Sequence, residues 1–353
     1  MPVVQKHHAL WVAVPVLLII TLFSLFACCC PGRRAAVTPV TTPEAVPPIG
    51  TANLPVPTEA VPAKETEAQM VNVKFRVDPT VALHIHQLRG QMFDKESGKP
   101  LNFDDKRSFI VRIFNGQIGV TGQSLTDLLN RYVFNYSGTP LKDLVVRIED
   151  GHLVQEGTMH KIIDIPFKMI ADVSSTADGW IRIHPTKIEI CNLNGAALMK
   201  AFGITLEKVL TKLPPGVRVE KNDLLIEPLG ILPPPKIEGK LVSVRIDGDE
   251  LMQEFDDGRN IAPLQLPVPA KNFIYLQHGT LRMGKLFMVN ADMQVIDTDE
   301  SDPFDFFIDR YNAQLVAGFD HNRADYGLTV YMRDFEDVGK PPRPGEHPLP
   351  VQP

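Results

Sequence analysis

Apolar and polar residues alternate along most of the chain between residues 71 and 335, and most regularly over residues 144–190. A period of two marks strands that bury one face. Leu144, Val146 and Ile148 predict one such face, and Asp150-Gly151 predicts the turn that ends it. Phe167, Met169, Ala171 and Val173 predict the next face, and Asp178-Gly179 turns the chain into a strand over 180–184. Upstream, 71–77 and 81–92 read as strands, followed by a polar loop at 94–107. Residues 108–114 predict another strand, Asn115-Gly116 a hairpin turn, and 117–121 the return.

At Ser124 the period changes to that of a helix. Leu125, Leu128, Leu129 and Tyr132 fall at i, i+3, i+4 and i+7, with Ser124 as cap and Asp127 three residues on. A second helix is predicted over 194–213, with Leu198, Phe202, Leu206, Val209 and Leu210 apolar and Pro214-Pro215-Gly216 as its stop. A hairpin follows, then Pro233-Pro234-Pro235. The pattern restarts with a strand at 241–246 and a short helix at 249–255, where Leu251 and Phe255 share a side. Residues 272–319 echo 144–190. Gly279 and Gly284 stand where Gly151 and Gly157 do, the acidic turn 297–303 answers the turn 176–179, and Phe287, Val289, Ala291, Met293 and Val295 share a face. Tyr326, Leu328, Val330 and Met332 predict a closing strand. A duplication over 108–232 and 241–335 fits this echo, and so does plain recurrence of hairpins in a β-rich chain.

The fold class expected is α+β and β-rich: a long curved antiparallel sheet packed around a few short helices, preceded by one N-terminal transmembrane helix. Strands of about ten residues exceed the usual length, and their apolar faces need covering. Two or three short helices are few for that surface, which points to a groove or cavity for an apolar ligand. Its candidate lining is Leu125, Leu128, Leu129, Phe167, Met169, Phe287, Val289 and Met293. A closed core without a cavity is the alternative.

The N-terminal pattern is different in kind. Residues 9–30 are interrupted only by Pro15, Thr21 and Ser24, and at 1.5 Å per residue they span about 33 Å, enough for a bilayer's hydrocarbon core. Three readings fit: an uncleaved anchor, a lipoprotein signal with Cys28 as the lipid attachment residue in Leu25-Phe26-Ala27-Cys28, or a cleaved signal peptide. Cys28, Cys29 and Cys30 at the membrane edge also suit acylation. Residues 31–69 hold eight prolines and no aromatic residue, so they read as an extended linker on the order of 100 Å long. The domain plan is therefore 1–30 anchor or signal, 31–70 linker, 71–338 folded domain and 339–353 a Pro-rich disordered tail. The folded domain is expected on the periplasmic or extracellular side, with the short N-terminus inside.

Composition narrows the function. The 353 residues are 44% hydrophobic and 22% charged, so a sizeable core can form. A net charge of −6 and the lack of any basic cluster with interleaved aromatics exclude nucleic acid as the expected partner. Of four cysteines only Cys191 lies in the folded region, where a small core residue is the expected role, so no internal disulfide forms. GxSxG, HExxH, GxxxxGK[ST] and GxGxxG are all absent, and no cofactor is implied. His84 and His86 share a strand face, but no third ligand follows at a recognisable spacing, so no metal site is expected. The run Asp-Thr-Asp-Glu-Ser-Asp-Pro-Phe-Asp at 297–305 is rich in oxygen ligands but lacks EF-hand spacing, and reads as a solvated acidic loop.

Ser124, Leu125 and Leu128, then Asp150-Gly151, then Asp178, Gly179, Ile181, Ile183 and Pro185 follow an order of strand, Leu-rich helix, hairpin and strand. Over about residues 108–213 this order resembles bacterial envelope proteins of the tubular lipid-binding (TULIP-like) group. The resemblance implies a curved sheet wrapped around a helix with lipid in the groove. The function expected is a non-catalytic, membrane-tethered envelope protein that binds lipid or another apolar ligand. The alternative is a structural or scaffolding protein that binds a protein partner through its sheet surface. A hydrolase with catalytic residues far apart in sequence is a third reading.

Overall fold

Burial of the alternating faces builds two sheets. The structure, a computed structural model, describes residues 65–160, 164–190, 193–194, 207, 210, 213–343 and 345–346. The candidate anchor, Cys28, most of the linker, Cys191 and nearly all of the candidate helix at 194–213 lie outside them. Among the described residues no helix is long and apolar enough to cross a membrane.

In chain order the strands are β1 Thr66–Arg76, β2 Ala82–Asp94, β3 Leu101–Asn102, β4 Phe109–Thr121, β5 Leu141–Glu149, β6 His152–His160, β7 Asp164–Ser175, β8 Ile181–Ile190, β9 Leu193–Asn194 and β10 Val217–Glu220. They continue with β11 Asp223–Ile226, β12 Lys236–Glu238, β13 Leu241–Asp247, β14 Glu250–Asp256, β15 Phe273–Met283, β16 Leu286–Asp297, β17 Phe304–Phe307, β18 Phe319–Asn322 and β19 Leu328–Met332. Helix α1 is Gly122–Leu128, continued by a π-helical turn at Leu129–Val133, and α2 is Tyr311–Ala317.

The larger sheet has twelve strands, ordered β13-β14-β4-β2-β1-β15-β16-β19-β18, with β12, β17 and β3 added beside β4, β1 and β15. The smaller has seven, ordered β10-β11-β8-β7-β6-β5, with β9 beside β8. Long strands take two partners in succession along one edge. β4 pairs with β12 at Ile110–Arg112 and with β14 at Asn115–Thr121. β1 pairs with β15 at Glu67–Val71 and with β17 at Val73–Arg76. β2 shifts register against β4 at two points, and such bulges bend a strand and increase its twist. One hydrophobic cluster joins the sheets, with Leu83, Ile118 and Leu251 from the larger and Leu144, Leu153 and Ile183 from the smaller. The block 144–190 lies in the seven-stranded sheet, and 272–319 contributes to the twelve-stranded one.

Several local expectations are corrected. Asn115-Gly116 is no hairpin: β4 runs straight through it. Asn115 pairs with Arg89 on one side and Asp256 on the other, and Gly116 with Leu88 and Phe255, so both edges hold the strand extended. Gly116 is needed for close approach instead, since a Cβ there would sit 3.1 Å from the Gln87 carbonyl oxygen. The predicted helix at 249–255 is strand β14. Leu251 and Phe255 are four apart, an even spacing that also puts them on one strand face. The helix cap is Thr121, whose Oγ1 accepts from the Ser124 backbone N–H at 3.3 Å, while Ser124 Oγ accepts from the Ala82 N–H at 3.2 Å. The π turn carries Tyr132 outward, where its hydroxyl donates to Asp78, and Val133 and Phe134 are buried instead. Tyr326, expected inside, is 97% exposed in a positive-φ turn before β19. Residues 339–343 and 345–346, expected in a disordered tail, dock on the domain: Glu346 accepts from Arg333 Nη2 at 3.0 Å and from Thr298 Oγ1 at 3.0 Å.

Candidate functional site

A cavity of about 60 Å³ lies between the sheets. Its walls include Leu83 from β2, Ile118 and Val120 from β4, Ile183 from β8, Ile226 from β11 and Phe255 from β14. Leu125, Leu128 and Leu129 close one side, and the loop bearing Leu229, Ile231 and Leu232 closes another. Gln155 and Gln253 are its two polar lining residues. The rest of the lining is apolar, which suits an apolar occupant.

Helix α1 is fixed in this wall by side chains that imitate a strand. Thr126 and Asn130, four residues apart, face the edge of β5. Thr126 Oγ1 accepts from the Val146 N–H at 2.8 Å, and Asn130 Oδ1 accepts from the Leu144 N–H at 3.0 Å while its Nδ2 donates to the Leu144 carbonyl at 2.6 Å. Backbone groups of an edge strand are thereby satisfied without another strand. Gly122 allows the close approach, because a Cβ there would meet the Val146 carbonyl at 2.8 Å.

Of the residues expected to line a groove, Leu125, Leu128 and Leu129 do face the cavity. Met169 is buried and Phe167 half-buried on β7, away from the cavity lining. Met293 is fully buried on β16 in the other sheet, whereas Phe287 and Val289 are 57% and 69% exposed. Asn290 explains that split. It adopts φ 51° opposite Gly279 at φ 64°, and the pairing passes over both residues without a change of register, so the face turned inward changes along β16. Leu286 and Met288 pack on the core before Asn290, and Ala291, Met293 and Val295 after it.

Two polar clusters form from residues far apart in sequence. His84 and His86 on β2 both meet Glu250 on β14: His84 Nδ1 lies 2.8 Å from Oε1, and His86 Nε2 lies 2.7 Å from Oε2. Glu250 is the third member of this cluster, which sequence spacing hid. Burial would raise the Glu250 carboxyl, but the His84 and His86 hydrogen bonds outweigh it and hold the group below the usual carboxylate range.

The acidic run is no solvated loop. Asp297 is fully buried, and Asp299, Asp305 and Asp334 nearly so. Asn272 Nδ2 donates to Asp297 Oδ2 at 3.1 Å and to the Asp299 carbonyl at 3.2 Å. Arg343 pairs with Asp299 at 3.2 Å, Asp302 at 3.1 Å and Asp334 at 2.7 Å. Burial, aided by the neighbouring Asp334 charge, pushes Asp297 up to about 8. Burial likewise pushes Asp334 up to about 7. Both keep a proton to higher pH folded than unfolded. Their stabilising contribution is therefore complete below about pH 4, and is lost as pH rises through about 7 and about 8. The unfolding free energy should fall between about pH 5 and about pH 9, and in Asp297→Asn the fall should be shallower, by at most about 1.4 kcal/mol per pH unit. Denaturant titrations across that range check this, and equal slopes would contradict it.

No family model, no curated protein and no solved structure matches the chain.

Proposed function

We propose that this is a membrane-tethered binding protein whose inter-sheet cavity takes an apolar group, such as the end of an acyl chain, with no chemical step. The carrying observation is the cavity itself, apolar on every side except at Gln155 and Gln253. The apolar run at 9–30 supports a tether, and the resemblance of residues 108–213 to tubular lipid-binding envelope proteins supports a lipid as the source of the group. At about 60 Å³ the space suits a few carbon atoms, so a longer chain would have to part the loop at Leu229–Leu232 or leave its remainder outside.

The test is native mass spectrometry of the full chain in mild detergent, with a fatty-acid series as probe. One equivalent of fatty acid should bind, and Leu128→Trp, which fills the cavity, should reduce that binding at least about tenfold while far-UV circular dichroism stays unchanged. Binding that Leu128→Trp leaves intact, or no binding by the parent chain, would sink the proposal.

A second reading has its own observation. Phe287 and Val289 stand exposed on β16, and residues 286–291 of that strand pair only with β15 among the described residues. A half-free, apolar edge suits a protein partner that adds a strand. Phe287→Asp with Val289→Asp would then abolish co-purification of that partner and leave fatty-acid binding unchanged, whereas an unaltered set of co-purifying proteins would rule it out.

A further inference from the structure

The site formed by His84, His86 and Glu250 lies on the outer face of the strands whose inner face lines the cavity. His84 follows Leu83, Gly119 lies between Ile118 and Val120, and Glu250 precedes Leu251. One ligand atom from each of the three residues lies within 4.8 Å of the other two. The imidazole rings stand 3.9 Å apart, centroid to centroid, and both address the same carboxylate. We propose that His84, His86 and Glu250 form a binding site for a divalent cation of the zinc type, with a solvent molecule completing the coordination.

The backbone is shaped for this. Glu250 pairs with Thr121 on β4, and His84 pairs with Gly119 on the same strand. The Glu250 side chain must therefore pass over β4 to reach β2. It does so across Gly119, where any Cβ would collide with the carboxylate.

Behind His84 a chain of two amides fixes the hydrogen-bond polarity. Asn272 Nδ2 faces Asp297 Oδ2 and two carbonyl oxygens, so that end of the amide is the donor. Asn272 Oδ1 must then accept from Asn72 Nδ2, at 2.7 Å. That leaves Asn72 Oδ1 as the acceptor for His84 Nε2, at 3.1 Å. In a neutral imidazole the proton is thereby fixed on Nε2, and the lone pair on Nδ1 points at the Glu250 carboxylate, 2.8 Å away. Two lone pairs at that distance call for a positive centre between them, either a proton on Nδ1, which leaves an ion pair, or a bound cation. Metal-bound histidines commonly have their other N–H held by an oxygen acceptor in this way.

Distances and donor types select the ion. Zinc bonds to imidazole and carboxylate run about 2.0–2.2 Å, which sets neighbouring ligand atoms roughly 3.3–3.5 Å apart. The observed 2.8 and 2.7 Å require an opening of about 0.5–0.8 Å. The half-exposed His86 side chain lies on the solvent side and can supply that movement. Two imidazoles and one carboxylate suit zinc better than calcium or magnesium, which prefer all-oxygen shells. The ion would join β2 to β14 across β4 whether or not the cavity takes a ligand.

The full chain is stripped with chelator, then titrated with Zn²⁺ by calorimetry and with Co²⁺ by visible absorption. The parent chain should bind one equivalent that is lost in His86→Ala and in Glu250→Gln, with intense tetrahedral Co²⁺ bands lost in parallel. Asn72→Ala, which removes the acceptor behind His84 together with the hydrogen bond to Asn272, should keep the stoichiometry and weaken affinity about 10–100-fold. Zinc uptake by the parent no greater than that of His86→Ala would overturn the proposal and leave the trio an ion pair only.

Discussion

Replacing Arg76 with methionine should lower the unfolding free energy by about 3–5 kcal/mol. Arg76 is 8% exposed and grips Asp305 with two hydrogen bonds, Nε to Oδ1 at 2.5 Å and Nη2 to Oδ2 at 2.7 Å. It also reaches Glu336 and the Pro79 carbonyl. Without it, Lys74 at 3.6 Å is the one cation left paired with the buried Asp305 among the described residues. The double variant Arg76→Met with Asp305→Leu should lose less than the single one, because it leaves no orphaned charge in the interior. Denaturant titration of the three chains decides it. A single-variant loss under about 1 kcal/mol would mean that water or Lys74 takes over the role.

Phe255→Ala should cost a similar amount, about 3–5 kcal/mol, by removing a fully packed ring and leaving a void. Phe255 is 2% exposed and lines the cavity, so the same change enlarges the space available to an occupant. Stability should fall while uptake of a small apolar probe such as xenon or benzene rises, with protein NMR shifts at Ile118 and Ile183 as the readout. A loss near zero would show that neighbouring side chains collapse into the gap.

Where burial follows a simple alternation, the strands were legible in the chain. Leu83 and Ile85, Leu144 and Val146, and Met169 and Ala171 mark buried faces that reappear in β2, β5 and β7. Failures came where tertiary pairing overrode a local signal. Asn-Gly at 115–116 is a strong turn dipeptide, yet strands on both edges hold it straight. Polar Gln253, set between Leu251 and Phe255 on the cavity side, made a strand resemble a helix. At Asn290 the side of β16 that faces inward changes, so Phe287 and Val289 are exposed while Met293 is buried, and none of the three lines the cavity.

Part of the cavity was legible for the same reason. The leucine stripe at Leu125, Leu128 and Leu129 is local, but Ile183, Ile226 and Phe255 join it only through folding. The cluster of His84, His86 and Glu250 was half visible. His84 and His86 announce themselves by spacing, while Glu250 lies 166 residues beyond His84 and carries no local mark. The buried acids were hidden by composition. An Asp-rich run looks solvated until Asn272 and Arg343, distant in sequence from one another, are seen to meet it.

The two-partner edge of β1 has a consequence for how the chain is made. Residues 67–71 and 73–76 leave the ribosome well before their partners, 273–277 and 304–307. At about 5–20 residues per second, roughly 10–50 s pass between emergence of that edge and arrival of the strands that cover it. During that interval β1 can pair with β2 alone, and its other side offers unmet backbone groups to any neighbouring nascent chain. Truncations that stop before β15 would keep the whole edge open permanently, and those that stop between β16 and β17 would keep residues 73–76 of it open, so shortened versions of this protein should aggregate even though every residue of β1, β2 and β4 is present.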